Sequence, residues 1–175
     1  MAKTFDCPYT EDIFDKAEMH KTIEGYFEAI MASDPSDREG SKARIGAFLA
    51  EGYVSREADW PQIRIREGWL NFLVSGYPQY KFTIWYKEPS GYMIIDSRRG
   101  MAIAHVRQEI YNRETGECVR SNMNNIHFRV IKTPEGLKID REAVSRIPAL
   151  FQVDSLKTGE DISMFMVQPV TDPLT

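Results

Sequence analysis

The sequence predicts an α+β domain: three N-terminal helices packed on a strongly curved antiparallel sheet that forms a cone around one pocket. Three observations predict it. Apolar residues recur at helical spacing up to about Ser75. From Tyr80 to Val144 the pattern changes to long strand-like runs separated by Pro- and Gly-bearing turns. The 175 residues, 42% hydrophobic and 27% charged, suit one domain with a sizeable core.

Residues 11–33 carry Ile13, Phe14, Ala17, His20, Ile23, Phe27, Ile30 and Met31 on a 3.6-residue period, which predicts the first helix. Thr10 is the expected N-cap, with Glu11 and Asp12 in the first turn to meet the helix dipole. Asp34-Pro35 ends it, because the residue before proline avoids the α region. Residues 41–51 read as a shorter helix capped by Ser41, and Tyr53-Val54-Ser55 as a short strand. Pro61 fits the first turn of a third helix running to about Ser75, with Ile63, Ile65, Trp69, Leu70, Phe72 and Leu73 as its apolar set.

Beyond Gly76 the expected strands are Tyr80 to Lys87, Tyr92 to Asp96, Met101 to Asn112, Val119 to Lys132 and Leu137 to Val144. Ser97 to Gly100 is expected to be a bend or bulge. Glu114-Thr115-Gly116 fits a hairpin loop with Gly in the left-handed position. That loop places His105 opposite Asn125. A sheet this long must twist, so helices seal only part of its concave face and the open end becomes a pocket. Residues 1–144 form the domain on this reading. Residues 145–175 form a C-terminal extension, apolar around Met164-Phe165-Met166-Val167, expected to pack on the domain or on a neighbouring subunit.

The formal charge of −4 and pI of about 5.5 give no broad basic field for nucleic acid or an anionic membrane. No apolar run approaches the ~18 residues that span a bilayer. The opening MAKTFDCPYTED has no apolar signal-like core, so a cytoplasmic protein is expected. Cys7 and Cys118 are neither a disulfide framework nor a metal set. His20, His105 and His127 lack H-x-H and H-E-x-x-H spacing, and there is no P-loop and no G-x-G-x-x-G. No metal and no cofactor are therefore expected.

The long first helix, the helix leading to Tyr53, the Gly68-Trp69 helix and the paired strands IAHVRQEIYN and NNIHFRVIK together resemble the nuclear transport factor 2 (NTF2) superfamily with its SnoaL-like enzymes, over roughly residues 10–144. The resemblance implies a cone-shaped α+β fold. The superfamily holds cofactor-free dehydratases, isomerases, cyclases and lyases, binding modules, and small subunits of ring-hydroxylating oxygenases, so fold alone does not give function. The polar pattern is similar to that of the scytalone dehydratases, which implies an Asp on the first helix, a Tyr nineteen residues on, a strand His and an Asn on the adjacent strand. Asp34, Tyr53, His105 and Asn125 stand at those places.

Each candidate also has a reading from its own chemistry. Asp34 follows Ile23, Phe27 and Ile30 on one helical stripe, so it either edges an apolar pocket and orients a base or is a solvent-facing turn residue. His105 lies in an apolar run and suits proton transfer, or is a half-buried strand histidine. His127 shares the face of Asn125 and is the alternative working histidine. Asn122, Asn124 and Asn125 are poor strand formers, which pocket lining or a subunit contact would explain. Arg107, Glu109 and Tyr111 share the parity of His105, as pocket members or as a same-face ion pair. Tyr26, Tyr53, Tyr80 and Tyr86 would stack on or bond to an aromatic substrate, or serve as core.

The expected function is a cofactor-free lyase acting on a small hydroxylated aromatic molecule. It would dehydrate the substrate or expel a hydroxymethyl group as formaldehyde by retro-aldol cleavage, as the superfamily's lignin-dimer (diarylpropane) lyases do. His105, Asp34 and Tyr53 are the catalytic expectation. Asn125, His127, Tyr26, Tyr80, Arg107 and Tyr111 are the substrate-binding one. A homo-oligomer, dimer or trimer, is expected. The alternatives are a non-catalytic small subunit of a ring-hydroxylating oxygenase and a ligand-binding module.

Overall fold

The computed structural model describes residues 13–57, 60–76 and 78–146. Helix α1 (Lys16–Met31) is capped by Asp15, whose carboxylate accepts from Glu18 N at 2.9 Å. It buries Ile23, Phe27 and Ile30 of the expected stripe together with Met19 and Tyr26, while Ile13 and Ala17 are exposed. The residues expected to cap and charge its start, Thr10, Glu11 and Asp12, lie outside the described residues, as do Cys7 and the C-terminal extension beyond Arg146.

Helix α2 (Arg38–Gly46) starts three residues earlier than expected because Asp37, not Ser41, is the cap; Asp37 Oδ1 accepts from Gly40 N at 3.1 Å. Ser41 is instead fully buried inside the helix. The chain leaves α2 early enough for β1 (Leu49–Glu57) to be a full strand. The expected third helix divides. Its start is strand β2 (Trp60–Ile65), antiparallel to β1. Ile63 and Ile65 alternate with Arg64 at a strand's period of two, and both are 67% exposed. Pro61 is tolerated because β2 is a sheet edge. Helix α3 (Arg66–Asn71) and a π-helical turn (Phe72–Gly76) follow.

Strands β3 (Tyr80–Trp85), β4 (Tyr92–Asp96), β5 (Met101–Asn112), β6 (Cys118–Thr133) and β7 (Gly136–Arg146) lie where the sequence predicts them, to within two residues at each end. The sheet order is β2-β1-β7-β6-β5-β3, with β3 and β4 sharing one edge of β5. Every pair is antiparallel except β1–β7, which is parallel, so the curved sheet is mixed rather than wholly antiparallel. The β5–β6 hairpin turns through Gly116 at φ 72°, and His105 pairs with Asn125 as predicted. Gly100, at φ 65°, makes the expected bend between β4 and β5; a Cβ there would stand 2.6 Å from the Val130 carbonyl.

The core joins α1, α3 and the inner sheet face. Phe27, Phe128 and Tyr26 meet edge-on or tilted at ring separations of 5.7–6.1 Å. On β5 and β6 the inward residues are the even-numbered ones: Ala102, Ala104 and Val106, and Asn124, Ile126, Phe128 and Val130, all buried. Strand β7 changes face partway. Ile139 pairs with Val130, but Arg141 pairs with Arg129, so Asp140 is an extra residue forming a β-bulge. Ile139 before it and Glu142 after it are therefore both buried.

Candidate functional site

The bulge at Asp140 turns Glu142 into the cavity between the curved sheet and α1, α3 and the π-turn. Glu142 is 5% exposed. Its Oε2 accepts from the Tyr53 hydroxyl at 2.6 Å and from the Tyr26 hydroxyl at 2.7 Å. Trp69 Nε1 donates to the Tyr26 hydroxyl at 2.7 Å. Tyr26 of α1 and Tyr53 of β1 thus meet on one carboxylate oxygen of Glu142 of β7, and Trp69 of α3 joins them through the Tyr26 hydroxyl. Burial first, and then the neighbouring Glu142 charge, push both phenols well above the ordinary tyrosine range. Both remain donors at neutral pH.

Glu142 and Trp69 line a cavity of about 400 Å³, the size of a small organic ligand. Its two sides differ. Phe27, Ile30, Trp69, Phe72, Leu73 and Phe82 make an apolar wall, in which Trp69 and Phe72 stack at 5.4 Å. The π-turn supplies Phe72 and Leu73, a distortion of the kind that often marks functional sites. The sheet side carries Ile84, Ile110, Ile126 and Val144 beside three amides, Gln108, Asn122 and Asn124. Asn124 Nδ2 donates to Gln108 Oε1 at 3.0 Å. Along β6 the lining runs from buried Ile126 and Asn124 through half-buried Asn122 to exposed Arg120, which fixes the direction from the inner end to the mouth.

Of the residues expected from the sequence, Tyr26, Tyr53 and Tyr80 belong here. Tyr80 lines the cavity, and Tyr26 and Tyr53 hold Glu142 at its inner end. The structure does not bring the others to it. Apart from Val119, beside the register shift at the start of β6, the odd-numbered residues of β5 and β6 face outward, so His105, Arg107, Tyr111, Asn125 and His127 lie on the far side of the sheet. His105 does meet Asn125, Nδ1 to Oδ1 at 3.0 Å, but its ring stacks on Tyr92 at 4.8 Å. Arg107 pairs with Glu109 at 3.4 Å, and Glu109 also accepts from Trp85 and Tyr111. This is the same-face ion pair. His127 is exposed.

Asp34 is exposed because α1 stops at Met31 and the stripe ends with it. Its carboxylate closes the turn into α2, accepting from Ser36 N at 2.8 Å and Ser36 Oγ at 2.7 Å. Those bonds lower its pKa. Tyr86 is a core residue whose hydroxyl donates to Glu28 at 3.0 Å. The sequence reading passed over Glu142, Trp69 as a donor and Gln108, whereas Asn122 and Asn124, for which it offered pocket lining or a subunit contact, do line the cavity. Among the described residues no cluster of three or more His, Cys, Asp or Glu could hold a metal, and no helix is long and apolar enough to cross a membrane.

No family model and no curated protein matches the sequence. Solved structures do match it. The BvnE pinacolase from Penicillium brevicompactum superposes with a TM-score of 0.58 at 12% identity, over 75% of this chain and 84% of that one. A SnoaL-like protein from Shewanella denitrificans, provisionally named a polyketide cyclase, gives 0.56 at 9% identity over 76% and 92%. A ketosteroid isomerase-like protein from Erwinia carotovora gives 0.52 at 14% over 75% and 95%. At these identities the likeness concerns the fold.

Proposed function

We propose that this protein, which has the NTF2-like cone fold, is a cofactor-independent enzyme that moves protons on a small, apolar, oxygen-bearing molecule, with Glu142 as the proton-transferring group. The observation that carries the proposal is a carboxylate at the inner end of an apolar cavity, held by two phenols that stay protonated. Solved structures of similar fold include proteins named as enzymes, a pinacolase and a SnoaL-like protein provisionally named a polyketide cyclase, which supports reading the cavity as catalytic.

The finer reading is a lyase, in its simplest form a dehydratase. Glu142 takes a proton from the carbon next to a carbonyl, and the electron pair moves onto the carbonyl oxygen. The pair then returns to form a C=C bond as the β-hydroxyl leaves, and that hydroxide takes the proton back from Glu142 as water. Tyr26 and Tyr53 stay protonated throughout and hold the carboxylate in one orientation. Retro-aldol cleavage would use the same groups. A ligand-binding module would share the cavity but perform no proton transfer.

The experiment is a proton-abstraction probe. 5-Nitrobenzisoxazole loses one carbon-bound proton to a base, its N–O bond opens, and a yellow phenolate appears. The protein should open it faster than free acetate at equal concentration. Glu142→Gln, which keeps the shape and removes the base, should lower that rate about 100-fold or more. A rate unchanged in Glu142→Gln overturns the assignment, and no rate above acetate favours the binding module.

A further inference from the structure

We infer that this cavity takes a neutral, ring-bearing molecule that shows a hydrogen-bond donor beside an acceptor, an N–H or O–H next to a carbonyl, and that the amide pair of Asn124 and Gln108 selects it. The inference rests on the reading of the cavity as the substrate's place and uses no role of Glu142.

Asn124 and Gln108 both line the cavity from the sheet side. Val106 pairs with Asn124 and Gln108 with Asn122, so Asn124 and Gln108 are diagonal neighbours on the inward face of β5 and β6. Asn124 is 4% exposed, and Gln108 is half-buried. The wall around them is apolar. Ile84 stands opposite Gln108 on β3, Ile110 is the next inward residue of β5, and Ile126 the next of β6. Asn124 Nδ2 donates to Gln108 Oε1 at 3.0 Å. Among the described residues that is the one side-chain hydrogen bond of either amide, and it leaves the Asn124 oxygen and the Gln108 nitrogen unused. Neither atom is sealed off, so each opens into the cavity. Turning both amides over gives the same result, a carbonyl oxygen on one and an NH2 group on the other. Asn122, the third amide, differs. In its bonding orientation it donates to Ser121 O at 3.2 Å and accepts from Arg120 Nε at 2.8 Å, so both its groups are taken.

An amide set in an apolar wall with bonding groups unused costs the folded protein stability. Asparagine is also a poor strand former. A ligand that completes both groups accounts for the pair. The open oxygen accepts one hydrogen bond and the open NH2 donates one, so the matching edge carries one donor and one acceptor. A carboxylate offers acceptors alone, and an ammonium donors alone. Either would leave one amide group unmatched, and either must shed its water to reach a wall lined by isoleucine. An uncharged pair therefore selects a neutral edge. On the other side of the cavity Trp69 and Phe72 stack at 5.4 Å, which gives the flat body carrying that edge an aromatic face to lie on.

Bicyclic probes of nearly equal size test the edge. Coumarin has a carbonyl and no donor. 2-Quinolone has an N–H beside its carbonyl, and 3-hydroxycoumarin an O–H. Equilibrium dialysis at mildly acidic pH, where that hydroxyl keeps its proton, should show one or both binding at least about tenfold more tightly than coumarin. A preference for 2-quinolone alone identifies an N–H donor, and for 3-hydroxycoumarin alone an O–H donor. Asn124→Leu combined with Gln108→Met removes both amides and roughly keeps their shapes. It should bring the probes within about threefold of one another. The urea midpoint should be no lower than the parent's, because taking away both partners of a buried bond costs the fold little. Coumarin binding as tightly as both other probes, or a preference that survives the double variant, overturns the inference. So does a double variant that unfolds or has a lower midpoint, since the pair then serves the fold. Failure of every probe to bind also overturns it, since the cavity then takes no neutral ring of this size. The outcome is independent of the ring-opening test. A rate untouched by Glu142→Gln would remove the catalytic reading with the probe preference still standing, and equal probe affinities would remove the donor–acceptor edge with the base still in place.

Discussion

The Tyr53 hydroxyl donates to Glu142 Oε2 at 2.6 Å, between neighbouring parallel strands β1 and β7. Tyr26 donates to the same oxygen from α1. Tyr53→Phe keeps the ring and removes one donor from a buried acceptor. It should therefore cost about 1.5–3 kcal/mol of stability. Urea unfolding should show a lower midpoint with an unchanged slope, since the surface exposed on unfolding is the same. Ring opening should persist at a reduced rate, because Tyr26 still orients the carboxylate. A midpoint equal to that of the parent would mean that the bond adds nothing to the folded state.

The raised pKa values of Tyr26 and Tyr53 give an alkaline signature. In the unfolded chain both phenols ionise near pH 10. In the folded protein they keep their protons well beyond it. Below pH 10 both states hold the protons, and stability does not depend on these groups. Above it the unfolded state binds fewer protons than the native one, so stability falls as pH rises. Spectrophotometric titration at 295 nm should show Tyr26 and Tyr53 ionising only as the protein unfolds, in one cooperative step. Replacing both with Phe should remove two tyrosines from that step. A smooth titration of all eight tyrosines near pH 10, with the fold intact, would contradict the buried arrangement.

His105 and Asp34 provide the contrast. His105→Ala should leave ring opening within about threefold of the parent, since the ring lies on Tyr92 outside the cavity. Asp34→Asn should also keep the rate. Its expected effect is on acid stability. The Ser36 bonds lower the Asp34 pKa, so whatever they contribute is present above the ordinary carboxylate value near 3.8 and fades as pH falls below it. Acid titration of the two proteins by circular dichroism checks this. Loss of ring opening in His105→Ala but not in Glu142→Gln would return the catalytic role to the histidine.

The elements of the fold were legible because each carries its own local signal. The turn at Gly116 and the length of its loop fix the β5–β6 register, and His105 does meet Asn125. The choice of inward face was not legible. Strand β5 is apolar at both parities: Met101 and Ile103 on one, Ala102, Ala104 and Val106 on the other. The small residues went inward, sharing the core with Phe27 and Phe128, and Met101 and Ile103 remain exposed. Period-two reasoning cannot separate two apolar faces. Asp34 was placed by extending a helical stripe three residues past the last residue of the helix. Glu142 was missed for a different reason. On a regular strand, Ile139 and Val144 cannot share a face, yet both are apolar. That parity conflict was the one mark of the bulge in the sequence, and it would have turned Glu142 inward.

The bulge itself can be tested by separating residue count from charge. Asp140 is the extra residue, and its carboxylate binds Arg129 through Nε at 2.8 Å and through Nη2, on the side away from the cavity. Two devices could hold Glu142 inward: the added residue, which shifts the alternation, or the ion pair, which pins the bulge. Alternation is the stronger constraint, since a one-residue slip moves every later side chain to the other face. Asp140→Ala keeps the residue count. Arg129 is half exposed and regains water when its partner is lost, so the cost should be about 1 kcal/mol, with ring opening within about threefold of the parent. Deleting Asp140 restores a regular strand. Either Leu137 and Ile139 must then turn out of the core or Glu142, Val144 and Arg146 must turn out of the cavity. The deletion should lower stability by several kcal/mol, given that Ile139 is fully buried, and any folded fraction should lack ring opening. Should Asp140→Ala lose ring opening as completely as the deletion does, the ion pair rather than the added residue sets the direction of Glu142.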